Sequence, residues 1–322
     1  MKQLINKCEG LAFDLNYTRA KQWKSEGDGR VLVGYMPIYF PREIIHAMNG
    51  LAVGILGGGD KKQIIRGDAY YQSYICHMPR GIIELALDGH FDQFDGFLFP
   101  SICDVIRNLS GMFRVLRKGK FVKYMDFPQN FQKHIGGEFF KYELMDIVDK
   151  ISKINKVKLS PEKLNEGIQL FNKNRALINA VYGLRKKSPW KISADEVYSI
   201  IRAGYVIPVE EHNEILKKAI ELLGSMDGEP MDKIRVMIIG AFCEQPPLSL
   251  IKTIEQAGCY IIEDDFLLGS KWIQGDVEAG TSDPVGAIVD AYLNKSTFSS
   301  TVYDVDNPKE VRMIKLFNES KA

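Results

Sequence analysis

The stretch VLVGYMPIYFPREIIHAMNGLAVGIL, residues 31–56, decides the fold. It opens on a short apolar run, Val31 to Met36, of the length and β-branched content of a strand buried on both faces. Pro41 then opens a helical segment, REIIHAMNG, with Gly50 as its stop. A second apolar run, Leu51 to Leu56, ends at three glycines. Strand, proline-bearing loop, helix and strand make a βαβ unit, and such a unit implies a parallel sheet.

The same grammar returns in IRVMIIGAFCEQPPLSLIKTIEQAGCYII, residues 234–262. A strand at 234–242 leads through a proline loop to a helix, Gly258 and a strand at 259–263. One grammar used twice predicts two similar domains. Further strands are expected at 94–100 and 121–127. Residues 67–88 read as mostly helical, with Pro79 ending one helix and starting another near Cys76. Between Gly137 and Gly224 the pattern is helical, with Ser160-Pro161 as a start signal and Ser193 to Glu196 as a capping box. The expected class is α/β: two similar doubly wound parallel-sheet domains, residues 1–136 and 231–322, joined by a helical segment at 137–230. The second domain reads as incomplete at its C-terminal end. After Asp283-Pro284 come two helices but no strand matching that of 94–100, and two strands alone make a poor sheet.

Composition narrows the function. Lys and Arg number 42 against 41 Asp and Glu, so the net charge is +1 and no global field draws the chain to nucleic acid. No apolar run approaches a membrane span, and MKQLINKCEGLAFDLNY does not read as a secretory signal. A cytoplasmic location is expected. The five cysteines, Cys8, Cys76, Cys103, Cys243 and Cys259, are too sparse for a disulfide framework and form no CxxC pair. A metal site has to gather ligands from distant segments.

In doubly wound sheets, ligands bind beyond the carboxyl ends of the strands. Cys103 follows the 94–100 strand and precedes a helix, and Cys243 occupies the equivalent loop of the second domain. Cys76 falls at the helix break, while packing explains Cys8 and Cys259. Packing residue, nucleophile and metal ligand are all open readings of Cys103. A nucleophile wants a histidine base. His77 adjoins Cys76 but points away on a helix, and His46, His90, His134 and His212 read as surface residues. GILGGGD, residues 54–60, follows a strand without a helix start, so it is a weak phosphate loop, and ATP binding is not indicated.

Six segments carry a resemblance: GYMPIYFPREIIHAMNGLAVGILGGGD (34–60), GDAYYQSYICHMPRGIIELAL (67–87), FDGFLFPSICDVIRNLSGMFR (94–114), FPQNF (127–131), RAGYVIPVEEHN (202–213) and GAFCEQPPLSLIKTIEQAGCYIIEDDF (240–266). Together they resemble the benzoyl-CoA reductase and 2-hydroxyacyl-CoA dehydratase family. The resemblance runs from about residue 5 to residue 300. It implies a [4Fe-4S] cluster held by three cysteines. Cys76 and Cys103 match two of them. The family's third stands in a further SFCDP-like turn that this sequence does not reach, and Cys243 is a candidate on the facing loop. Tyr39, Phe40, Glu244 and Gln245 become substrate-pocket candidates on the two strand-end loops.

The reaction implied is reduction of benzoyl-CoA to a cyclic dienoyl-CoA through a radical anion that a dry, apolar pocket protects. The partners implied are a homologous second substrate-binding subunit and separate ATP-hydrolysing subunits that activate the electron. The alternatives are a 2-hydroxyacyl-CoA dehydratase subunit and a cluster-free partner subunit.

Overall fold

A computed structural model describes residues 1–38, 40–240, 246–297 and 309–321. Strands β1 (Val31–Tyr35), β2 (Gly50–Gly54), β3 (Gly96–Pro100) and β4 (Phe121–Met125) form one sheet in the order β2-β1-β3-β4. Every pairing is parallel, with Val31 opposite Gly50, Val33 opposite Gly96 and Gly96 opposite Phe121. Strands β5 (Ile234–Ile238) and β6 (Cys259–Asp264) pair in parallel as a second sheet. The helices, in chain order, are α1 (Lys2–Ala12), α2 (Thr18–Ser25), α3 (Arg42–Ala47), α4 (His77–Leu87), α5 (Asp104–Leu116), α6 (Glu138–Asn155), α7 (Pro161–Lys187), α8 (Ala194–Ala203), α9 (Val209–Ser225), α10 (Leu248–Gln256), α11 (Pro284–Lys295) and α12 (Lys309–Ser320).

The expected α/β class with parallel sheets is what the chain adopts. β1, β2 and β3 are buried along their whole length, which is why their sequences run apolar without alternation. Right-handed crossovers place α3 on one face of the first sheet and α4 and α5 on the other. α4 and α5 pack together, as do α3 and α6. Phe91, Phe94, Phe97 and Phe113 fill the space between β3 and α5, with Phe97 and Phe113 edge to face at 4.9 Å. Gly34 makes room for them, since a Cβ there would lie 2.9 Å from the Phe97 ring.

Two local expectations are corrected. The turn after α3 is made by Asn49, whose φ is +56°, and Gly50 is already the first residue of β2. Asparagine tolerates the left-handed region because its short side chain can hydrogen-bond locally. Pro79 does not divide two helices. It lies in the first turn of α4, where the missing N–H has no intrahelical acceptor to lose.

The helical stretch begins as its signals suggest. Ser160 Oγ accepts the N–H of Lys163, and Ser193 forms a capping box with Glu196. These helices knit the two sheets together. α7 packs on α3, α9 and β6. The Tyr205 carbonyl accepts the N–H of Gly54 at the end of edge strand β2, at 2.7 Å. Arg185, 1% exposed, pairs with Glu255 and donates to the Ile261 carbonyl at 2.8 Å. The loops after β1 and β6 touch directly: a Cβ on Gly269 would stand 1.6 Å from the Pro37 carbonyl oxygen.

Candidate functional site

The strand order fixes where a ligand belongs. From β1 the chain leaves to one side for β2 and returns to the other side for β3, so the switch point lies between β1 and β3. Helices that follow parallel strands run back across the sheet, and α4 and α5 therefore begin at its carboxyl edge. Cys76 immediately precedes α4 and Cys103 immediately precedes α5, and both cysteines are exposed. Each cysteine thus stands at the N-terminal, positive end of a helix, where a bound anionic group is favoured.

One loop relates the two cysteines. Between β2 and α4 the chain passes beneath Glu84 of α4, which is 3% exposed. Its carboxylate accepts the N–H groups of Ile65 at 3.0 Å and Gly67 at 2.7 Å. Burial acts to raise the Glu84 pKa, but these bonds outweigh it and hold the pKa below its ordinary value. Four residues past Gly67, the Tyr71 hydroxyl donates to the Val105 carbonyl in the first turn of α5, at 2.7 Å. The loop is tied to the Cys76 helix at one point and to the Cys103 helix at the next. Burial, and then the nearby Cys103, push the Tyr71 phenol above its ordinary pKa.

At the ends of β1, β3 and β4, Tyr35, Ile38, Phe40, Leu98, Phe99 and Met125 pack into an apolar cluster that leaves no room for a water molecule. Phe40, expected to line the cleft, is 6% exposed and packs its ring 5.8 Å from that of Tyr35. It packs into this cluster rather than lining open space. A cavity of about 350 Å³ lies between the two sheets. The loop after β2 (Leu56 to Lys61), the first turn of α4 (His77, Met78), Arg202 of α8 and Pro246 to Ser249 at the start of α10 line it, with Phe13.

Tyr39, Cys243, Glu244 and Gln245 lie outside the described residues. Among the described residues no group of three His, Cys, Asp or Glu side chains is placed to hold a metal. Cys8 is fully buried in α1, and burial pushes its thiol up to about 11, as suits a packing residue. His212 is corrected from a surface residue to a buried one, 1% exposed, between Asn174 and the Ile200 carbonyl. Burial, with Arg42 adding to it, lowers its pKa to about 3, so it is neutral and only a weak base.

Sequence reading missed Tyr71, Glu84 and Arg202. Glu84 had a signal, being the one acid in the apolar helical run GIIELAL. Tyr71 had none, because its partner is 34 residues away.

The model of the family described as 2-hydroxyglutaryl-CoA dehydratase, D-component, matches residues 37–322. A benzoyl-CoA reductase subunit of Thauera aromatica is 45% identical over 301 residues, covering 94% of this chain and 78% of that protein. The (R)-phenyllactyl-CoA dehydratase beta subunit of Clostridium sporogenes is 24% identical, covering 92% and 78%. The beta subunit of (R)-2-hydroxyglutaryl-CoA dehydratase of Acidaminococcus fermentans is also 24% identical, covering 90% and 76%. A family match over residues 37–322, together with 45% identity to a relative covered over 78% of its length, makes this protein a member of the 2-hydroxyglutaryl-CoA dehydratase D-component family.

Proposed function

We propose that this chain is a subunit of an ATP-dependent benzoyl-CoA reductase, which binds benzoyl-CoA or a related acyl-CoA and helps to hold a [4Fe-4S] cluster. The observation that carries the reading is the 45% identity with a benzoyl-CoA reductase subunit, against 24% with the two dehydratase subunits. In this reading its partners are a homologous second substrate-binding subunit and separate ATP-hydrolysing subunits. The relatives' designations as subunits support a multi-subunit assembly.

The donor set fits such a cluster in part. Thiolates are the ligands that iron–sulfur clusters take, and two exposed thiols stand at the same sheet edge, each at a helix N-terminus. Cys243, between β5 and α10 in sequence, is proposed as a further ligand or a pocket residue. When bound, the cluster supplies electrons at low potential. The chain's own residues do the rest. Tyr35, Ile38, Phe40 and Phe99, all buried, give the strand-end loops an apolar backing. Tyr71 and Glu84 fix the spacing of the two thiols. The cleft between the sheets receives the acyl-CoA.

The test is product analysis on the anaerobically purified complex, with ATP and a strong reductant. Conversion of benzoyl-CoA to a cyclic dienoyl-CoA is expected. Inert benzoyl-CoA, with loss of water from a 2-hydroxyacyl-CoA, would make the protein a dehydratase subunit. A complex active on benzoyl-CoA in which this chain brings no iron would make it a cluster-free partner.

A further inference from the structure

We propose that the cavity between the β2–α4 loop, α8 and the start of α10 is an anion site in which Arg202 and Lys61 hold a phosphate-type group. Arg202 is 7% exposed. Its Nε donates to the Ala12 carbonyl at 3.3 Å and its Nη1 to the Tyr198 hydroxyl at 2.7 Å. Its guanidinium lies over the Phe13 ring, 4.5 Å from the centroid. These neighbours orient the side chain but carry no negative charge. Among the described residues no carboxylate pairs with it. Arg185, the other arginine buried this deeply among the described residues, differs in pairing with Glu255. A buried charge is stabilised by a counter-charge, and since none of the described residues supplies one, a ligand that brings it is favoured here.

The surroundings point the same way. Arg202 lines a cavity of about 350 Å³, the size of a small-molecule site. Lys61 lines it from the loop after β2, its Nζ 5.0 Å from the same Phe13 ring, and has no acidic partner among the described residues. Helix α10 starts on the wall, so its free first-turn amides add positive potential. Asp60, the one acid in the lining among the described residues, is exposed. Two cations of different reach, one rigid and buried and one on a loop, suit a group with several anionic oxygens, such as a pyrophosphate.

The naming of the ligand's owner rests on the acyl-CoA reading, since a CoA thioester carries such a group. The anion site itself does not. The test is calorimetric titration of the full chain with inorganic pyrophosphate and with free coenzyme A, at low salt. Both are expected to bind, with Arg202→Met weakening both about tenfold and Lys61→Met weakening them less. Arg202→Lys should recover part of the loss. Lys61 lies on an exposed loop, so its variant stays informative if Arg202→Met fails to fold. Arg202-dependent binding of pyrophosphate without coenzyme A would support the anion site and count against the acyl-CoA reading. No binding of pyrophosphate by the wild-type chain, or binding that ignores both substitutions, would overturn the site.

Discussion

The Tyr71 hydroxyl and the Val105 carbonyl, 34 residues apart in sequence, are joined by a 2.7 Å hydrogen bond. That bond links the loop leading to Cys76 with the helix that Cys103 heads. A buried phenol with one partner is a short, stiff tether. Tyr71→Phe keeps the ring and removes the tether, at a cost of about 0.5–1.5 kcal/mol. In the metal-free chain, a short bifunctional thiol reagent should then bridge Cys76 and Cys103 several-fold more slowly, while single alkylation of each thiol is unchanged. An unaltered bridging rate would show that Tyr71 does not set the spacing.

Glu84 holds the same loop from the other side. Glu84→Ala strips the acceptor from two backbone N–H groups, at about 1–3 kcal/mol for each one left buried. Amide exchange at Ile65 and Gly67 should accelerate well beyond the change in α4. Glu84→Gln keeps an acceptor and should fall between variant and wild type. Uniform acceleration across the domain would point to global destabilisation instead.

His212 makes stability depend on pH. Its pKa is about 3 when folded, against an ordinary 6.5. As pH falls, the unfolded chain takes up the proton first. The stabilising contribution is therefore complete above pH 6.5 and is lost progressively from there down to about 3. Between pH 7 and pH 5 the loss is about 2 kcal/mol. Glu263, held at about 2 when burial is outweighed by Lys271 and Lys186, adds in the same direction only below its ordinary 4.5. His90 is also lowered by burial, so some slope persists without His212. Denaturant unfolding of His212→Gln at pH 7 and pH 5 should show most of the difference gone. A slope equal to that of wild type would mean that His212 is protonated in the folded protein.

Gly269 and Gly111 make a matched pair. A methyl group at Gly269 meets the Pro37 carbonyl oxygen at 1.6 Å, whereas one at Gly111 in α5 meets nothing within 4 Å. Gly269→Ala should destabilise by about 1–3 kcal/mol, because backbone must move in both strand-end loops. Gly111→Ala should stabilise by about 0.5–1 kcal/mol through helix propensity. Equal effects in chemical denaturation would contradict the close approach of the two loops.

Much of this architecture is legible in the sequence because it is local. The apolar runs at 31–36 and 94–100, the capping residues Ser160 and Ser193, and the glycines and prolines between them each act within a few residues. Cys103 could be placed at a strand-to-helix junction for the same reason. What the sequence hides is long-range. The Arg202 contact with Phe13, the Tyr71 tether and the burial of His212 depend on which helices meet. Phe40 illustrates the boundary: its loop was readable, but whether its ring faces the cleft or the core depends on packing against Tyr35.

The central claim is that the helices headed by Cys76 and Cys103 hold an iron–sulfur cluster in an acyl-CoA reductase subunit. Iron and sulfide counting, with low-temperature EPR, on the anaerobically assembled complex tests it most directly. Cys76→Ser and Cys103→Ser should each remove one cluster's iron and its signal, because serine is a poor ligand for this soft site. Cys8→Ser, altering a thiol that is fully buried in α1, should leave the iron unchanged. Full iron content and an unaltered spectrum in both the Cys76 and Cys103 variants would contradict the account.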